Sequence, residues 1–243
     1  PNPTAFAGPG PRRLRPTHTG SGRVDSPASG ERHFAPLFKR YGRSRRFRAG
    51  AATALNSVAA FHYNKGEFES AITVYRKVLH LNPDYTKARY FLALSYDRIG
   101  QVQPAIDELK TLLKREPTFD TALNYLSLVL LEEKRFVEAL GYLKQLAQLH
   151  PAEPSVRTNL AQAYLQIGYG QLRSKNGERA LGSFREALKW DHGGGAVHLG
   201  LGRALGSVGS VPEALEAYRK AISLKVDDPK AKPEYEALLA KSP

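Results

Sequence analysis

Residues 66–100 read GEFESAITVYRKVLHLNPDYTKARYFLALSYDRIG, a stretch that begins and ends on glycines 34 positions apart. The same frame returns down the chain. Pro83, Pro117 and Pro151 are spaced by 34, as are Ala71, Ala105 and Ala139, and so are Tyr75, Leu109 and Leu143. A fixed period of this size marks a stacked repeat array, in which each unit buries its apolar face against the next. Each period holds two amphipathic stretches, so the spacing predicts helix–turn–helix units and an all-α chain without strands. The prolines punctuate helix ends, because proline cannot continue a helix.

Five units align, at 52–85, 86–119, 120–153, 154–194 and 195–228. A small residue recurs in the first helix (Ala59, Ala93, Ser127, Ala161, Gly202) and another early in the second (Ala71, Ala105, Ala139, Ala180, Ala214). Small side chains let the two helices approach closely, and a larger one there would overpack the contact. A bulky residue stands four positions after each of the second set: Tyr75, Leu109, Leu143, Phe184 and Tyr218. It shares that helix face and fills the gap to the next unit.

The fourth unit is longer, with about seven extra residues near Tyr169 to Lys175. Seven residues are close to two helical turns, so the apolar phase survives, and Leu165, Tyr169 and Leu172 continue one stripe. The expectation is a first helix prolonged to about Ser174, with the turn at Lys175-Asn176-Gly177; one turn added to each helix is the alternative. The fifth unit is rich in glycine, and Gly200 and Gly206 have no reason in the repeat pattern. Interior helical glycines cost about 1 kcal/mol each, so this unit is expected to be the least stable. Residues 232–241 read as a short closing helix within a cap and tail at 229–243.

The pattern closely resembles the tetratricopeptide repeat (TPR) family over about residues 52–228. The residues that carry the resemblance are the pairs Ala93–Tyr96 and Ala161–Tyr164, the five alanines of the second helices, the bulky residues after them and the terminal prolines. The third unit departs with Leu130 where Tyr is common, and the fourth and fifth have His192 and Val226 in place of the proline. The resemblance implies a TPR solenoid: a right-handed superhelix of about five repeats with a C-terminal capping helix, the first helices lining a concave groove. It assigns a partner-binding groove to Asn56, Tyr63, Lys87, Tyr90, Leu94, Arg98, Asn124, Leu128, Asn159, Gln162, Leu165 and Arg203. The basic and Asn set with which some TPR proteins clamp C-terminal carboxylates is absent. The groove instead offers amides for a peptide backbone and shallow Tyr and Leu pockets.

Residues 1–50 hold 11 Lys/Arg against Asp25 and Glu31, a balance of +9; residues 51–243 hold 25 against 21, or +4. The basic, Pro/Gly-rich segment 1–50 is expected to be a disordered tail. Phe34, Leu37, Phe38 and Tyr41 share a face of a possible short helix, against which Pro36 and Gly42 argue. Three readings of 39–48 (KRYGRSRRFR) stay open: contact with nucleic acid or anionic membrane, a targeting remnant, or a flanking tail. With no methionine at position 1, the chain reads as starting inside a longer frame or after processing. No stretch of 18 apolar residues suggests a membrane span, and a soluble protein is expected, its compartment open.

No catalytic constellation emerges. Cysteine is absent, and His192 and His198, six residues apart across three glycines, do not share a helical face. Gly200, Gly202 and Gly206 imitate a dinucleotide fingerprint with the wrong spacing and no preceding strand. The expectation is a non-enzymatic interaction scaffold without cofactor or metal, binding a protein or peptide partner in its groove. Two alternatives remain: the recognition half of a larger TPR-containing enzyme, and an adaptor that uses its basic tail on nucleic acid or membrane.

Overall fold

The computed structural model describes residues 44–191 and 194–240. Among these residues every regular element is helical: α1 (Arg45–Asn64), α2 (Phe68–Leu81), α3 (Thr86–Arg98), α4 (Val102–Arg115), α5 (Asp120–Glu132), α6 (Phe136–Leu149), α7 (Pro154–Arg173), α8 (Gly177–Trp190), α9 (Gly195–Ser207), α10 (Val211–Ser223) and α11 (Ala231–Leu239). The chain divides into two compact units, one ending at Leu112 and one starting at Leu113, with α4 running through the division. In the first, α2 packs on α1 and on α3; in the second, α7 packs on α6 and α8, α9 on α8 and α10, and α11 on α10.

The turn inside each pair is set by one backbone device. Residues 66, 100, 134, 175 and 209 all take positive φ, between 55° and 84°. After α1, the Gly66 N–H donates to the Tyr63 carbonyl and the Glu67 N–H to the His62 carbonyl, each at 3.0 Å. The same two bonds follow α3, α5, α7 and α9. They satisfy carbonyls that a helix end otherwise leaves open. Glycine fills this left-handed position at 66, 100 and 209, whereas Lys134 and Lys175 fill it in the other two turns. A side chain there costs about 1–2 kcal/mol, partly offset by the entropy that glycine loses on folding. Lys134→Gly and Lys175→Gly should therefore each stabilise by about 0.5–1 kcal/mol, seen as a higher denaturation midpoint at unchanged slope.

The small-residue ladder is the core. Ala59, Ala71, Ala93, Ala105, Ser127, Ala139, Ala180 and Ala214 are fully buried, as are the bulky Tyr75, Leu109, Leu143 and Phe184. The Ser127 hydroxyl donates to the Leu123 carbonyl at 2.7 Å, which lets a polar side chain occupy an alanine position. The fourth repeat places its whole insertion in its first helix. α7 has 20 residues where α3, α5 and α9 have 13, and α8 keeps the 14 residues of α2, α4 and α6.

Two particulars differ from the sequence reading. The first helix starts at Arg45, inside the segment assigned to the tail, with Ser44 capping the Phe47 N–H at 3.4 Å. Burial of Ala51 and Ala52 offsets the cost of Gly50 in that helix. The expectations for residues 1–43 and for His192 lie outside the described residues. Gly200 does have a packing reason: a Cβ there would fall within 2.7 Å of Phe184 Cδ1 and closer still to Cε1. A Cβ on Gly206 would meet nothing within 4 Å.

Candidate functional site

The surface expected to bind a partner is carried by first helices: α1 and α3 in the first unit, α5, α7 and α9 in the second. In the first unit, much of the expected set is used internally. The Tyr63 ring meets Phe68 and Phe91 edge-on at 5.5 and 5.3 Å, and Tyr75 stacks on Phe91 at 6.2 Å. The Arg98 guanidinium lies 5.9 Å from the Phe68 ring centre. Burial pushes the Tyr63 phenol above its usual pKa, while the Arg98 charge and hydrogen bond pull it down. Burial, with a contribution from Tyr63, lifts Tyr90 to about 12. Both tyrosines are therefore neutral donors at neutral pH. Leu94 is core, and Lys87 and Arg98 are exposed. Asn56 is half-buried, with its carbonyl oxygen shut off from solvent and without a hydrogen-bond partner among the described residues; the Tyr75 hydroxyl is in the same condition.

In the second unit, Asn124, Leu128 and Asn159 are half-buried and Gln162 is exposed, so α5 and α7 present amides and one leucine at the surface. Leu165 belongs to the core instead, at 9% exposure. Arg203 is engaged by the chain itself. Its Nε donates to Glu234 Oε2 at 2.7 Å and its Nη2 to Asp228 Oδ2 at 3.0 Å, while the Tyr218 hydroxyl donates to Glu234 at 3.2 Å. The position expected to grip a partner grips the closing helix and the segment before it. Tyr169, expected on the apolar stripe of the prolonged helix, is also used internally: its ring meets Phe184 edge-on at 5.2 Å and its hydroxyl donates to the Ala196 carbonyl at 3.2 Å. The sequence carried a signal for the Arg203 arrangement in the acidic residues Asp228 and Glu234, but no local spacing links them to α9.

The Lys230 N–H donates to Asp228 Oδ1 at 2.9 Å, and that bond, with Arg203, holds the Asp228 carboxyl below its usual pKa. A depressed folded pKa contributes stability above the unfolded value that is lost as pH falls through the folded one. The Asp228 link should therefore weaken only in acid, below about pH 4. Hydrogen exchange in α11 should rise there before it rises in α7 and α8, and Asp228→Asn should remove part of that dependence.

Among the described residues, no group of three or more His, Asp or Glu could hold a metal ion. No helix among them is long and apolar enough to cross a membrane.

Paired helices throughout the described residues, with small residues at the crossings and a bulky residue one turn on, make the architecture of a helical-repeat protein. Two family models described as tetratricopeptide repeat match residues 63–127 with 130–168, and residues 165–234. The chain belongs to the tetratricopeptide repeat family. It is 24% identical over 180 residues to the human protein O-mannosyl-transferase TMTC1, covering 74% of this chain and 20% of that protein. It is 23% identical over 209 residues to the BBSome complex member BBS4 of Bos taurus, covering 72% and 39%. The chain thus spans well under half the length of these curated relatives. Among solved structures, the TPR protein YrrB aligns with a TM-score of 0.52 at 19% identity, over 84% of this chain and 97% of that one. MamA from AMB-1 aligns at 0.50 and 20% identity, over 73% and 93%. Repeats of this family serve generally as protein-interaction scaffolds, and that is the functional class the chain falls in.

Proposed function

We propose that the exposed surface of α5 and α7 binds a peptide segment of a partner protein. The observation that carries this reading is the set Asn124, Leu128, Asn159 and Gln162, which stays at the surface while neighbouring positions of the same helices are core. Amides pair with a peptide backbone in either sense, donating and accepting, and Leu128 adds apolar contact. Peptide binding is also what the name of the YrrB structure attributes to that protein, described as having an unusual peptide-binding site. An affinity of about −8 kcal/mol, in the micromolar range, fits so shallow a surface.

Affinity capture with the full chain, followed by mass spectrometry, supplies the partner. Asn124→Ala with Leu128→Ala should then weaken it by about tenfold or more, with an unchanged circular dichroism spectrum. Parental affinity in that double variant defeats the reading. The match to the human transferase favours a second reading, the array as the recognition part of a larger enzyme. A reading frame that continues into a catalytic domain would support it.

A further inference from the structure

The first helix has an apolar seam that passes from the core at Ala51 to the surface at Ala54, Val58 and Phe61. Phe47, Ala51, Ala54, Val58 and Phe61 recur along α1 at steps of 4, 3, 4 and 3. That spacing aligns side chains into one seam for a second helix. The seam is at the surface in its second half: Val58 is 46% exposed and Phe61 55%. Lys65 lies with its Nζ 4.4 Å over the Phe61 ring. Asn56 and Tyr63 stand about half a turn round the helix from Phe61, so the seam is distinct from the expected groove.

Charge selects the occupant. From Arg45 to Asn64 the helix holds three arginines and no Asp or Glu, and Lys65 follows. The next carboxylate, Glu67, is taken by the His62 ring at 2.5 Å. A second copy of α1 would bring like charge to this face. So would the chain's own residues 1–44, which hold 8 Lys/Arg against Asp25 and Glu31. An acidic helix brings opposite charge to both ends of the seam, at Arg46 and Lys65. We propose that this seam of α1 docks an amphipathic helix of a partner protein, apolar at heptad spacing and flanked by Asp or Glu.

The probe is a fluorescent synthetic helix of a few heptads with Leu at a and d and Glu at e and g, beside a twin with Lys at e and g. With the full chain, fluorescence anisotropy should show the Glu helix binding at low salt and weakening as salt rises, and the Lys twin binding about tenfold weaker or less. Val58→Ser with Phe61→Ser should abolish binding of the Glu helix. Arg46→Glu with Lys65→Glu should reverse the preference in favour of the Lys twin, a gain that misfolding cannot imitate. Equal binding of the two helices, no binding of either, or retained binding by the Val58/Phe61 variant overturns the proposal. Concentration-dependent dimerisation that the same variant removes assigns the seam to a second copy and also overturns it.

Discussion

Truncating Phe184 to alanine should destabilise the second unit by about 3–5 kcal/mol, the range for removing a fully buried aromatic side chain. Its ring is fully buried and meets Tyr169 of α7 edge-on. The ring also closes on backbone: a Cβ on Gly168 would fall 2.7 Å from its Cε1, and one on Gly200 closer still. Side chains can repack into a cavity, but the backbones at Gly168 and Gly200 can close it only if α7 and α9 shift toward α8 as whole helices. The loss should therefore fall at the upper end of the range. Denaturant unfolding measures it. Repeats couple mainly to their neighbours, so hydrogen exchange should place the loss in α7, α8 and α9 while α5 keeps more of its protection.

Gly200→Val should produce a comparable loss from the opposite cause, about 3 kcal/mol from overpacking. Valine is a better helix former than glycine, so propensity alone predicts a small gain; the clash with Phe184 reverses the sign. Gly206 on the same helix supplies the control. It has open space around a Cβ, and its replacement by alanine should leave stability unchanged or slightly raised. The two large effects should not add. In a Phe184→Ala background Gly200→Val fills space instead of contesting it, so the double variant should be more stable than the sum of the single losses implies. Additive losses would show that Gly200 is constrained by something other than the ring.

Most of the fold was legible because the repeat states it several times over. Pro83, Pro117 and Pro151 bound helices, Gly66 and Gly100 mark the left-handed turn residue, and the alanines name the helix crossings. The prolonged α7 was legible for the same reason: helical phase allowed the insertion, and the stripe Leu165–Tyr169–Leu172 pointed to the first helix. What escaped depends on contacts across sequence distance. Gly200 looked gratuitous because its reason is a ring on α8. Arg203 looked available because its partners, Asp228 and Glu234, arrive 25 and 31 residues later. The start of α1 escaped because Pro36, Gly42 and the basic Pro/Gly-rich composition argued locally for a tail, whereas the burial of Ala51 and Ala52 decides otherwise.

Phe184 also bears on how the second unit carries mechanical load. One ring held between α7 and α9 from its seat on α8 acts as a rivet through three plates. These helices cannot slide past one another without pulling the ring from its seat, so pulling on the chain loads all three at once. At the crossing of α9 with α10, by contrast, Gly202 faces Tyr218, where a Cβ would still sit 3.0 Å from the ring. Sliding of α7 or α9 on α8 thus has to displace a ring set against backbone at Gly168 and Gly200.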